Sequence, residues 1–186
     1  SWIAGGDPGG GVSPQTLARG DGDTDRGSDW SWGDSTLGLD NGGAGGGDGV
    51  VNYHAVVCGI SDYSGTVNDL NYCDDDANDF EAALLATDNW SSGNIQKLVD
   101  SAATRSAVQS AISSMAAAAD EDDVCVFFFS GHGTTTTDTS GDEADGVDEL
   151  LVTTAYANIS DDALGTWLAA LPTESYAVFL DTCFSG

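Results

Sequence analysis

The sequence predicts an α/β fold, with a mostly parallel sheet and helices on both faces. Short apolar runs recur through residues 50–186, and segments of helical period lie between them. Strand–helix alternation needs crossover connections, which lay helices over both faces of a parallel sheet. One run, Val124 to Phe129, is apolar at every position, as a strand covered on both sides should be.

The elements follow in order. Tyr53 to Ile60 (YHAVVCGI) reads as the first strand. Asp74 to Ala86 reads as a helix: its acids suit the positive end of the helix dipole, and Ala77, Phe80 and Leu84 share one face. Ile95 to Val99 is the second strand. Ser101 to Ala119 is a helix with Val108, Ile112, Met115 and Ala119 on one side. Val124 to Phe129 is the third strand, and a long loop is expected after it. Ile159 to Leu171 is a short helix with Leu164, Trp167, Leu168 and Leu171 on one face, ended by Pro172. Tyr176 to Leu180 (YAVFL) is the fourth strand.

Residues 1–49 differ from the rest. They are rich in Gly, Asp and Ser, as in Gly42-Gly43-Ala44-Gly45-Gly46-Gly47, and their few apolar residues lack a period. Such a segment cannot bury enough surface to offset chain entropy, so it reads as a linker or tail. Asp21, Asp23 and Asp25 alternate as in a calcium loop, but Arg26 stands where an EF-hand needs Gly and Trp32 where it needs Glu. The chain runs from Ser1 to Gly186, which suggests a fragment or a processed product.

The 186 residues include 31 acids and 4 bases, a formal charge of −27. Four cations cannot build the basic patch that phosphate recognition needs, which excludes nucleic acid as a partner. The same balance opposes docking on anionic membranes, and no apolar run approaches the ~18 residues of a spanning helix. The excess is mostly Asp, and Lys97 is the only lysine. That bias suits a surface solvated in high salt, either secreted or in a salt-rich cytoplasm, and leaves any single Asp uninformative. Cys58, Cys73, Cys125 and Cys183 form no CxxC pair or zinc spacing; Cys58 and Cys125 lie in apolar runs and read as buried thiols.

In parallel sheets, sites form at the carboxyl ends of strands. Ser130-Gly131-His132-Gly133 follows the third strand, and Asp181-Thr182-Cys183-Phe184-Ser185-Gly186 follows the fourth. A thiol becomes a useful nucleophile at neutral pH when a base or imidazolium stands beside it. Glycines flanking His132 allow a sharp turn and an accessible ring. No P-loop, GxGxxG opening or GxSxG elbow competes. A receiver or flavodoxin-like domain would share the alternation but leave His132 and Cys183 unexplained.

These two segments resemble the catalytic motifs of the caspase-like cysteine peptidases, most closely the metacaspase and prokaryotic caspase-homologue branch. Gly141-Asp142-Glu143-Ala144-Asp145-Gly146-Val147-Asp148-Glu149 resembles that branch's acidic loop. The resemblance covers about residues 52–186 and implies a three-layer caspase-hemoglobinase-like fold. Cys183 would be the nucleophile, forming a thioester with the acyl group, and His132 the acid–base partner. The N–H groups of Gly133 and Cys183 would form the oxyanion hole, and no third triad member is implied. The chemistry needs no cofactor. Asp76 and Asp181, with Cys73 and Ser130 beside them, match a pocket that takes Arg or Lys before the cut bond. A buried carboxylate pair suits a guanidinium. Cleavage after Asp would need arginines, and Arg19, Arg26 and Arg105 lie outside the motifs.

Some metacaspases also use calcium, through acids that match Asp148, Asp161 and Asp162. Ser160-Asp161-Asp162 equally reads as a helix N-cap with first-turn acids. The family fold continues past the nucleophile, whereas this chain stops three residues after Cys183. The expected partners are therefore a protein or peptide substrate and either a C-terminal small subunit or the remainder of the domain. The rival readings are a catalytically silent caspase-like adaptor and a clan relative with legumain-like specificity.

Overall fold

The structure is a computed structural model that describes residues 18–19, 30–31, 47–139, 141, 143 and 146–184. Most of the 1–49 segment, including the alternating Asp21–Asp25 stretch, lies outside the described residues, as do Asp142 and Asp145 of the acidic loop and Gly186. Ala18–Arg19 and Trp30–Ser31 form a two-residue antiparallel pair.

The main sheet has four parallel strands: β1 (Tyr53–Gly59), β2 (Ile95–Val99), β3 (Val124–Ser130) and β7 (Tyr176–Asp181), in the spatial order β2-β1-β3-β7. Side chains alternate across β1. Val56 and Cys58 join a core with Val108, Ile112 and Met115 of α2 (Arg105–Ala118) and Leu164 and Leu168 of α3 (Asp161–Leu168). Ala55 and Val57 face the other way and pack with Ala77, Phe80 and Leu84 of α1 (Cys73–Leu85). The sheet is thus the middle of three layers. Phe127 and Phe129 are fully buried, a burial that stabilises by roughly 1.5–3 kcal/mol per side chain.

The apolar runs and helical faces fall where the sequence places them, with shifted ends. The segment Asp100–Ala102 is a 3-10 turn, so α2 starts at Arg105, where the Thr104 hydroxyl accepts the Ala107 N–H at 3.2 Å. Helix α3 spans Asp161–Leu168, with Ser160 as its N-cap accepting the Ala163 N–H, and it ends before Leu171.

The long loop expected after the third strand is corrected. It holds a three-stranded antiparallel sheet of β4 (Gly133–Thr137), β5 (Val147–Leu151) and β6 (Ile159–Ser160). Four consecutive threonines supply β-branched side chains suited to a strand. They carry no apolar alternation, which is why the run looks like a loop. Leu151 and Ile159 tie this small sheet into the α2–α3 side of the core.

Two close approaches position the strand ends. A side chain at Gly59 would run into the Cys73 carbonyl, so the first turn of α1 sits directly on the carboxyl end of β1. At the opposite end, Asp48 N–H donates to Asp120 (3.1 Å) and Gly49 N–H to Asp122 (2.8 Å), anchoring the chain ahead of β1.

Candidate active site

The parallel register of β3 and β7 pairs Ser130 with Asp181, so both strands end at the same level. Gly131 N–H donates to the Asp181 carbonyl at 3.2 Å, which joins the two exit loops just beyond the strands. Two residues further, Gly133 stands against the Cys183 carbonyl and the Thr182 hydroxyl; any side chain there would collide with that backbone. His132 and Cys183 therefore leave neighbouring strand ends on one rim. Cys183 is exposed, and Phe184 after it adopts a left-handed φ of 58°. Non-glycine residues in that region are uncommon and concentrate at functional turns.

His132 is held from several sides. Its main-chain N–H donates to Tyr63 Oη at 2.8 Å, and its carbonyl accepts the Val152 N–H at 2.9 Å. Its ring packs on the Tyr63 ring, centroid to centroid 4.9 Å. Its Nε2 lies 2.8 Å from the Asn68 main-chain carbonyl. A carbonyl only accepts, so this contact places the proton on Nε2 and leaves Nδ1 as the basic nitrogen. Tyr63 is 3% exposed, and burial chiefly pushes its phenol up to about 12, so it stays protonated. Gly131 makes room for it: a methyl there would come within 2.8 Å of Tyr63 Oη.

Neither the Asn68 carbonyl nor Tyr63 was singled out by the sequence. A main-chain acceptor leaves no residue-type signal. Tyr63 lies in a turn-rich exit, Ser61-Asp62-Tyr63-Ser64, where one aromatic among polar residues was the only hint.

The ladder between β4 and β5 bears on the expected oxyanion hole. Gly133 is opposite Leu151, and the Val152 N–H bond to His132 makes that pair a non-hydrogen-bonded one. The Gly133 N–H is therefore not used by the ladder.

The four expected pocket residues come together. Ser130 Oγ donates to Asp76 Oδ2 at 2.9 Å. The Cys73 thiol lies among Ser130, Asp76, Asp181 and Asp74; burial raises its pKa most, the Ser130 hydrogen bond opposes this, and the three carboxylates raise it further. The carboxylate pair is less covered than expected. Asp76 is half-buried but Asp181 is exposed, because β7 borders only β3 among the described residues.

The three acids matched to calcium lie on the small sheet and the helix after it. Asp148 is in β5, and Asp161 and Asp162 form the first turn of α3. They do not gather as a trio. Among the described residues, the acids whose ligand oxygens lie within 4.8 Å of one another are Asp48, Asp120 and Asp122, at the far end of the sheet. However, Asp161 Oδ1 and Asn158 Oδ1 are buried without a hydrogen-bond partner. Buried unpaired oxygens are costly, and carboxylate and amide oxygens are donors that calcium accepts, so the residues present fit a hard cation.

Comparison with known proteins agrees with this geometry. A family model described as metacaspase, peptidase C14 domain, matches residues 53–186. The crystal structure of protein GSU0716 from Geobacter sulfurreducens is similar, with 32% sequence identity and a TM-score of 0.61. That match covers 73% of this chain and 52% of the other, so the chain spans about half the length of that relative. No curated protein matches the sequence. With the family model covering the whole sheet and both strand-end motifs, the chain belongs to the metacaspase peptidase C14 family.

Proposed function

We propose that this chain carries the catalytic dyad of a cysteine endopeptidase that cuts after Arg or Lys. The observation that supports this most is the common rim of β3 and β7, from which both the exposed Cys183 and His132, its Nε2 already engaged, leave neighbouring strand ends. Cys183 gives its proton to His132 Nδ1 and attacks the peptide carbonyl. The resulting oxyanion is met by the Gly133 and Cys183 N–H groups; losing one such donor costs on the order of 3 kcal/mol of barrier. The tetrahedral species collapses to a thioester as His132 returns the proton to the leaving amine. Water, deprotonated by the same nitrogen, then releases the acid and the free thiol. The Asn68 carbonyl supports the cationic imidazole through the Nε2–H bond.

Asp76 and Asp181 would receive the basic side chain. Their charge already acts on the Cys73 thiol between them, and two carboxylates without a cation repel each other. A calcium ion would find the unpaired Asp161 Oδ1 and Asn158 Oδ1 rather than an Asp148–Asp161–Asp162 trio, and would neutralise acid at the start of α3. The rest of the substrate cleft would come from further length of the domain or a second subunit laid along the β7 edge.

The test is a pair of fluorogenic peptides, ending in Arg or Asp, assayed with the full-length protein in molar salt. The Arg peptide should be cut at least ~100-fold faster, given the worth of a charge-assisted bidentate pair, and Cys183→Ala should abolish turnover. Unchanged turnover in that variant removes the nucleophile assignment. Preference for the Asp peptide removes the acidic pocket and leaves the dyad standing.

A further inference from the structure

The carbonyl that engages His132 belongs to an exposed loop, and something must hold it there. Asn68 is exposed, and the turn Thr66–Asn68 has no side-chain cap. Its side chain is nevertheless tethered: Asn68 Nδ2 donates to Tyr156 Oη at 3.1 Å, and Tyr156 Oη donates in turn to the Ser64 carbonyl at 3.2 Å. A single hydroxyl therefore ties together two points of the loop that carries the histidine's acceptor. The Tyr156 ring also stacks on Tyr63, the residue beneath the imidazole, at 6.1 Å and 27°.

Tyr156 itself sits in an unfavourable conformation. Its φ is 56°, in the left-handed region, although it is neither Gly nor Asn. The turn around it is fixed: Tyr156 N–H donates to Thr153 at 2.8 Å, and the buried Thr153 hydroxyl donates to the Ala157 carbonyl at 3.1 Å. Thr154 adds two more ties to the same loop, its carbonyl accepting from Ser64 N–H and Oγ–H and its hydroxyl reaching the Asp62 carbonyl. The segment between β5 and β6 thus acts as a frame, and Tyr156 supplies the side chain of it that meets Asn68 itself.

We infer that Tyr156 is a positioning residue for the catalytic histidine: its hydroxyl, bridging Asn68 Nδ2 and the Ser64 carbonyl, holds the Asn68 carbonyl against His132 Nε2. This rests on the peptidase reading for its effect on turnover, but not for its effect on the ring. The hydroxyl makes no contact with the His132 side chain; it acts through the loop. Loss of the bridge lets the carbonyl drift and the imidazole turn, so fewer molecules present Nδ1 to the thiol. Substrate binding is untouched, so kcat should fall while KM stays.

The experiment compares wild type, Tyr156→Phe, Asn68→Ala and the double variant in the full-length protein. Tyr156→Phe keeps the ring and the exposed position, so the fold should survive, and Asn68→Ala keeps the carbonyl while removing its tether. Each single variant should lose about three- to ten-fold in kcat, the range of one or two ordinary hydrogen bonds, with KM within two-fold. The double variant should be no worse than either, because both cut the same link. In parallel, the His132 Nε2–H resonance, assigned by its loss in His132→Gln, should broaden or vanish in Tyr156→Phe. Additive losses, or kcat within two-fold of wild type in both single variants, overturn the inference. If the wild type proves to have no Cys183-dependent turnover, the peptidase reading fails and the resonance alone decides: an unchanged line in Tyr156→Phe overturns the latch, and a lost line upholds it.

Discussion

His132 meets the Tyr63 hydroxyl, the Tyr63 ring, the Val152 N–H and the Asn68 carbonyl, and each contact fixes a different coordinate of the imidazole. Removing the hydroxyl in Tyr63→Phe leaves the His132 N–H without its acceptor in a part-buried place. That should destabilise the protein by about 1–3 kcal/mol in urea titrations. Gly133→Ala forces a methyl into the Cys183 carbonyl and should reduce turnover far more than Gly93→Ala, where a side chain meets nothing closer than 3.8 Å. The cysteines divide by environment. Burial pushes Cys58 and Cys125 up to about 12, whereas Cys183 is exposed. Iodoacetamide at pH 8 should therefore label Cys183 in the native protein and reach Cys58 and Cys125 only after denaturation, as peptide mapping would show. The two buried thiols also set a sign for stability against pH. Unfolded thiols ionise above about pH 8.5, while the folded ones keep their protons to about 12. The folded state then binds more protons, so the urea midpoint should fall as pH rises through that window.

Among the elements, the strands readable from sequence are those written as short apolar runs, whether buried nearly throughout like Val124–Ser130 or only in part like Tyr176–Asp181. The run Val124–Phe129 and the segment Tyr176–Leu180 announce themselves by composition alone, and so do the residues that follow them. That is why His132 and Cys183 are legible as candidates in the sequence. The sheet β4-β5-β6 was missed because Gly133–Thr137 is mostly exposed and polar, so no periodic burial pattern marks it. The functional cost of that miss is specific, since β5 and the turn after it carry Val152 and Tyr156, which frame the histidine. The first turn of α1 was placed correctly by its acids. Its role in the site follows from Gly59, whose bare α-carbon lets Cys73 and Asp76 settle over the strand ends. Asp76→Asn removes a charge but keeps the Ser130 contact available, so it should raise KM for an Arg peptide by about ten-fold or more while changing kcat little.

Taken as a whole, the molecule places a net charge of −27 on 186 residues. Self-repulsion of that size is screened by salt, so the melting temperature should climb steeply between 0.1 and 2 M KCl and then level off. A melting temperature insensitive to salt would show that the acids are individually compensated. Strand β7 pairs only with β3 among the described residues, and Phe179, 43% exposed, lies there beside Phe80. Such an edge favours association through strand pairing. The proposed chemistry needs the thiol after β7 and the imidazole after β3 to work as one unit. The most direct measurement is covalent capture: the full-length protein is treated with an Arg-terminated peptidyl chloromethyl ketone, and the adduct is mapped by mass spectrometry. A single adduct on Cys183 is expected, slowed at least ~100-fold in His132→Ala, in line with the worth of a positioned acid–base group. An adduct on Cys73 instead, or labelling of Cys183 at an unchanged rate without His132, would contradict it.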